Sequence, residues 1–159
     1  MRKAKAWMLI VLSAVLLLAG CSSDPVEEDA NHYFKEELPK VASLEQEIMT
    51  QFSNMSQTLK DPQALYQGLN DQVLPRYEAF VKELEKIKPA TKEVQEVHEK
   101  YLSATRAQQE AFQRIVNAMK DKDKAGLTAA REKLEEARTL IKESKEGMKQ
   151  LALGYGIQL

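Results

Sequence analysis

Few side chains in this sequence could do covalent or metal chemistry. Cys21 is the single cysteine, and the histidines are His32 and His98. A lone thiol can accept a covalent group, but it cannot close a disulfide within one chain. A metal site in a helical bundle needs carboxylates joined to a Glu-x-x-His element on paired helices. In EVQEVHEKY the residue three before His98 is Gln95, and no second element of this kind occurs. Two scattered histidines make a poor ligand set, and His98 reads as an imidazole at the edge of a core. Met49, Met55, Met119 and Met148 offer soft thioethers of the kind that hold copper. No two of them are three or four residues apart, and all fall on apolar stripes, so they read as gap-filling residues.

Catalytic arrangements are missing from the sequence. There is no Gly-rich phosphate loop and no Gly-x-Ser-x-Gly elbow. Most carboxylates alternate with lysine, as in KELEKIK and REKLEEARTLIKESKEGMK, and read as solvated faces with i,i+4 pairs. No carboxylate stands isolated in an apolar stretch that would raise its pKa. Arg106, Arg114, Arg131 and Arg138 could recognise phosphate or carboxylate groups, although such residues cover most bundle surfaces. The expectation is a protein that is not an enzyme and has no cofactor.

Cys21 takes its meaning from what precedes it. MRKAK opens the chain with three basic residues, and Ala6 to Leu18 is apolar except for Ser13. Such a run is short for a helix crossing ~30 Å of hydrocarbon, and the basic start and small residues at the exit read as a secretory signal. Leu18-Ala19-Gly20-Cys21 resembles the lipobox of bacterial membrane lipoproteins. The resemblance implies that residues 1–20 are a removed signal peptide and that Cys21 is lipidated and becomes the new N-terminus. It further implies a protein held at the extracytoplasmic face of the cell membrane by lipid on Cys21. An uncleaved anchor helix with an incidental cysteine is the competing reading.

Removal of the signal takes Arg2, Lys3 and Lys5 with it. The balance moves from 23 basic against 24 acidic residues to 20 against 24, a formal charge of −4. A mildly acidic chain lacks the concentrated basic surface that nucleic acid requires, so no nucleic-acid partner is expected. Residues 21–31, acidic and containing Pro25, read as the lipidated cysteine and a flexible tether. About ten such residues reach at most ~35 Å.

Residues 32–159 read as one domain of four amphipathic helices, in which apolar residues recur at three- and four-residue steps. The first stripe runs from Phe34 through Leu38, Val41, Leu44, Ile48 and Phe52 to Leu59, with Pro39 near its start. The second runs from Tyr66 through Leu69, Val73, Tyr77, Phe80 and Leu84 to Ile87, with Pro75 in its middle, where a kink is expected. The third includes Val94, Val97, Tyr101, Ala104, Gln108, Ala111, Ile115 and Ala118. The fourth keeps nearly unbroken heptad spacing through Leu127, Ala130, Leu134, Ala137, Ile141, Ser144 and Met148. Asp61 with Pro62, and Asp121 or Asp123, are placed to start new helices. Gly154 and Gly156 are placed to end the last one. No stretch alternates with period two. The expected fold is all-α: an antiparallel up-down-up-down four-helix bundle, similar to the small helical lipoproteins of Gram-positive bacteria.

Two features of the bundle bear on function. Gln108 occupies a core position, where a buried amide fixes helix register or forms a polar point in a pocket. Pro75 either accommodates packing or opens a gap between helices. The leading expectation is a binding or assembly role at the cell envelope, with an envelope protein as partner. The alternative is a carrier of a small apolar ligand, haem or metal near Pro75, Tyr77, Tyr101 and Gln108.

Overall fold

The computed structural model describes residues 24–159, and its first residue already caps a helix. The Asp24 carboxylate accepts the Val26 N–H at 2.9 Å, and Pro25 occupies the first turn. Glu27 and Glu28 follow in that turn, where carboxylates suit the positive end of the helix dipole. Helix α1 therefore begins at residue 25 and runs to residue 58. This corrects the reading of residues 25–31 as tether. The stretch is acidic and holds a proline, but Asp-Pro is also a helix-start signal, and its Ala30 is fully buried.

The second and fourth helices start where the sequence marked them. Asp61 caps α2 (residues 62–84) by accepting the Ala64 N–H at 3.0 Å, with Pro62 in the first turn. Helix α3 is Lys92–Lys120 and α4 is Lys124–Gly154, the latter capped by Asp123 on the Gly126 N–H. With 29 and 31 residues, α3 and α4 are about 44 and 46 Å long. Gly156, at φ +68°, lets the Ile157 N–H reach the Ala152 carbonyl at 2.8 Å, and this closes α4.

Both interior prolines follow a π turn. Tyr33–Glu37 precedes Pro39 and Leu69–Val73 precedes Pro75. In each, the residue just before the proline closes a widened ring, Leu38 N–H to the Tyr33 carbonyl and Leu74 N–H to the Leu69 carbonyl. The proline ring clashes with the carbonyl four residues back in a regular helix. The wider turn re-aims that carbonyl, so the helix continues through the proline. Pro39 thus lies inside α1 rather than at its start.

Antiparallel order is tied down by specific contacts. Asp29 accepts the Ala90 N–H at 3.1 Å, the Thr91 N–H at 2.7 Å and the Thr91 hydroxyl at 2.6 Å. These bonds clamp the start of α1 to the α2–α3 loop. The end of α4 belongs to the same end of the bundle, where Tyr155 feels the charges of Asp24, Glu93 and Glu27. The turns around Lys60 and Lys122 lie at the opposite end.

All four stripes contribute to one core. Phe52, Tyr77, Phe80 and Phe112 pack edge-to-face with ring centroids 4.9–5.4 Å apart. Small residues are buried on both α3 and α4, among them Ala104, Ala111, Ala130 and Ala137. They allow this pair to pack closely along its length. The described core lies entirely between Ala30 and Ile157, so the polypeptide after Cys21 carries it whole. Among the described residues there is no strand, and no helix is long and apolar enough to cross a membrane.

Candidate functional site

The fourth side of the bundle is open. Past its π turn, α1 stands apart from α4, in contrast to the tight α3–α4 pair. Long cationic side chains span the gap where apolar knobs would otherwise meet. Arg138 sits over the Phe52 ring at 5.8 Å, and Lys145 over the Tyr101 ring at 5.6 Å. The result is a groove of about 1100 Å³, floored by Met49, Met148, Tyr101 and Ile157 and rimmed by Lys149, Leu153 and Leu159. That is the size of a ligand cleft.

At its centre is a buried carboxylate. Glu45 is 6% exposed, and its Oε2 accepts the Tyr101 hydroxyl at 2.7 Å and Lys145 Nζ at 2.7 Å. Burial pushes the Tyr101 phenol up, and the Glu45 charge beside it adds to the shift, so Tyr101 stays protonated and donates. Tyr77 lies behind Glu45 and is likewise held up by burial and by that charge. Among the described residues, its hydroxyl is the buried side-chain polar atom without a hydrogen-bond partner.

A second buried set lies toward the start of α1. The Tyr33 hydroxyl is 3.2 Å from His98 Nδ1 and donates to the Met148 sulfur at 3.6 Å. Burial holds the His98 pKa below its ordinary value, assisted by Lys88 and opposed by Glu99. Gln108 donates to the Met49 sulfur at 3.0 Å. That contact joins α3 to α1.

The four residues singled out as a pocket separate. Tyr101 lines the groove. Gln108 lies beneath its floor through Met49, and Tyr77 lies behind Glu45. Pro75 is exposed on α2 and does not line the groove; the gap opens between α1 and α4, far in sequence from that proline. Cys21 lies outside the described residues. Sequence reasoning missed Glu45, Lys145 and Tyr33; Glu45 is buried although it does not stand isolated in an apolar stretch of the sequence. The signal was present: Glu45 is four residues after Val41 and three before Ile48, the same helical face. Of the arginines, Arg106 binds Glu85, Arg114 binds Glu110 and Arg138 binds Glu135. Among the described residues, no three His, Cys, Asp or Glu side chains gather to hold a metal ion.

A family model described as EMYY-motif containing lipoprotein matches residues 1–150. No curated protein and no solved structure matches the chain. The literal run Glu-Met-Tyr-Tyr does not occur in this sequence, so the description marks no residue of the groove.

Proposed function

The chain belongs to the EMYY-motif containing lipoprotein family, and from that premise we propose that it is a binding protein tethered by lipid on Cys21 to the extracytoplasmic face of the cell membrane. Its working surface is the groove between α1 and α4. The observation that carries this reading is the groove itself, in which an apolar floor surrounds a buried Glu45–Tyr101–Lys145 set. A cleft with a few convergent polar groups is how binding sites are built. The role is read as binding because the Glu45 carboxylate is already engaged by a cation and a phenol.

The lipobox and the lipoprotein family together support this address. Helix α1 begins at Pro25, so only Ser22, Ser23 and Asp24 separate Cys21 from the bundle. Four residue steps extend at most about 14 Å. The end of the bundle bearing Asp29, Thr91 and Tyr155 is therefore held against the bilayer.

The test uses the intact lipoprotein in cells, with a photoreactive residue at groove position Gln46 and, separately, at outer positions Lys82 and Glu132. Adducts formed from Gln46 and not from the outer positions support the groove as the working surface. Equal labelling from all three positions, or labelling from the outer faces alone, refutes it.

A further inference from the structure

We infer that the groove between α1 and α4 holds a single-chain anionic amphiphile, a long-chain fatty carboxylate, with its head at Lys145 and Lys149 and its chain along Leu38 and Met148 toward Leu153 and Leu159. This deepens the binding role proposed above and rests on the groove being the working surface.

Charge is the first argument. Among the described residues, Glu45 is the one anionic side chain in the lining, and Lys145 already neutralises it. Lys149 then leaves the lining side chains with an excess positive charge. An ammonium has three donors, and the Glu45 bond uses one of those on Lys145, whose side chain is 48% exposed and open to the groove. A carboxylate head can therefore join Lys145 without breaking the existing pair, and Lys149 stands one helical turn further along α4.

The apolar surface is the second argument. Leu153 and Leu159 are 53% and 67% exposed, and both border the groove. They lie at the end of the molecule that the short link from Cys21 holds near the bilayer. The floor thus runs from the lysines toward the place where a membrane amphiphile would enter. Each methylene removed from water contributes about 0.8 kcal/mol, so a long chain gains more from this path than a short one.

The shape of the wall disfavours a partner helix. Recognition of a helix uses successive apolar anchors at i, i+3, i+4 and i+7. The α1 wall beyond Met49 offers Thr50, Ser53 and Asn54. The α1 wall beyond Met49 therefore supplies no row of apolar partners for such anchors.

The experiment uses residues 22–159, which carry the described core whole, with helicity and a cooperative melt recorded for every variant. Binding of oleate is measured below its micellar concentration by calorimetry. Saturable one-to-one binding is expected, with oleyl alcohol at least tenfold weaker and octanoate weaker than oleate. Lys145→Met is expected to weaken oleate at least tenfold. Because that change also removes the partner of Glu45, Lys149→Glu, at an exposed position, serves as the second variant and should weaken oleate several-fold. Ala42→Trp, filling the groove, should abolish binding, and Lys82→Met should leave it unchanged. No saturable oleate binding, equal binding of oleate and oleyl alcohol, or insensitivity to both Lys149→Glu and Ala42→Trp overturns the inference. If oleate fails while Gln46 alone forms adducts in cells, this inference falls and the groove reading stands. If labelling shows no preference for Gln46, the groove reading itself falls.

Discussion

Glu45 shows how a buried charge is held by unequal partners. Removing Lys145 leaves the carboxylate with only the Tyr101 hydroxyl, and an under-satisfied buried acceptor is costly. Lys145→Met should destabilise the bundle by about 1–2 kcal/mol, and Tyr101→Phe by about 1.5–3 kcal/mol, since its bond is to a charged group. Tyr77→Phe should be neutral or slightly stabilising, because its hydroxyl has no partner to lose. Urea denaturation of the three variants checks the order; a Tyr77→Phe loss as large as that of Tyr101→Phe would contradict the assignment. His98 gives a pH signature. Its folded pKa lies below the unfolded value of about 6.5. The unfolded chain therefore binds the proton first, and stability present above about pH 6.5 is lost as pH falls toward the folded pKa. The slope from this one group is at most about 1.4 kcal/mol per pH unit. His98→Gln, which keeps a polar side chain able to hydrogen-bond the Tyr33 hydroxyl, should flatten melting temperature against pH in that window.

Among the elements, the helices are fixed by caps and strained only where a turn demands it. Lys122 adopts φ 55°, the left-handed conformation that closes α3 by sending the Asp123 N–H to the Ala118 carbonyl at 2.9 Å. A side chain there costs about 1–2 kcal/mol, part of which glycine returns as chain entropy. Lys122→Gly should thus stabilise by up to about 1 kcal/mol. Gly147 is the opposite case, since it lies inside α4 and a methyl group on its Cα would meet nothing within 4 Å. Gly147→Ala should stabilise by about 0.5–1 kcal/mol. Asp29→Ala should cost about 1–3 kcal/mol by removing three bonds to Ala90 and Thr91. Burial raises the Asp29 pKa, but the Thr91 hydroxyl and the Thr91 and Ala90 N–H groups together outweigh it and hold it below the ordinary value. Its contribution is present above the unfolded carboxyl pKa and fades in acid. Amide exchange in α1 reads the same contact: residues 26–32 should exchange faster in Asp29→Ala.

On the anchoring proposed above, the lipid link orients the molecule as a whole. With both ends of the described chain at one end of the bundle, labels at Lys60 and Lys122 should lie farther from the bilayer than a label at Lys88. Quenching by lipid-borne nitroxides in reconstituted vesicles measures the order, and the reverse order would remove this orientation. Cys21→Ala should abolish lipid attachment while leaving the melting behaviour of residues 24–159 intact, because none of the described core comes from the signal segment. Labelling with a clickable fatty-acid precursor reads the first outcome, and circular dichroism reads the second.

Local features were legible in the amino-acid order alone, because local physics sets them. Asp61, Asp123 and Gly156 mark helix ends whose partners lie within a few residues, and the alanine-rich heptads of α3 and α4 carry their buried face in their spacing. Lipobox residues 18–21 are likewise a contiguous signal. The same local reading passed Asp24-Pro25 as tether, since Asp-Pro serves loops and helix starts alike. What turns residues 25–31 into helix is Ala30 and Tyr33 finding a core and Asp29 finding a loop some sixty residues later in the chain. The groove depended on long-range packing in the same way. Glu45 and Lys145 are 100 residues apart, and each looks like an ordinary charge on a lysine- and glutamate-rich helix. Only the tertiary packing that sets α1 beside α4 brings them together, and Pro75, on α2, stays outside the groove.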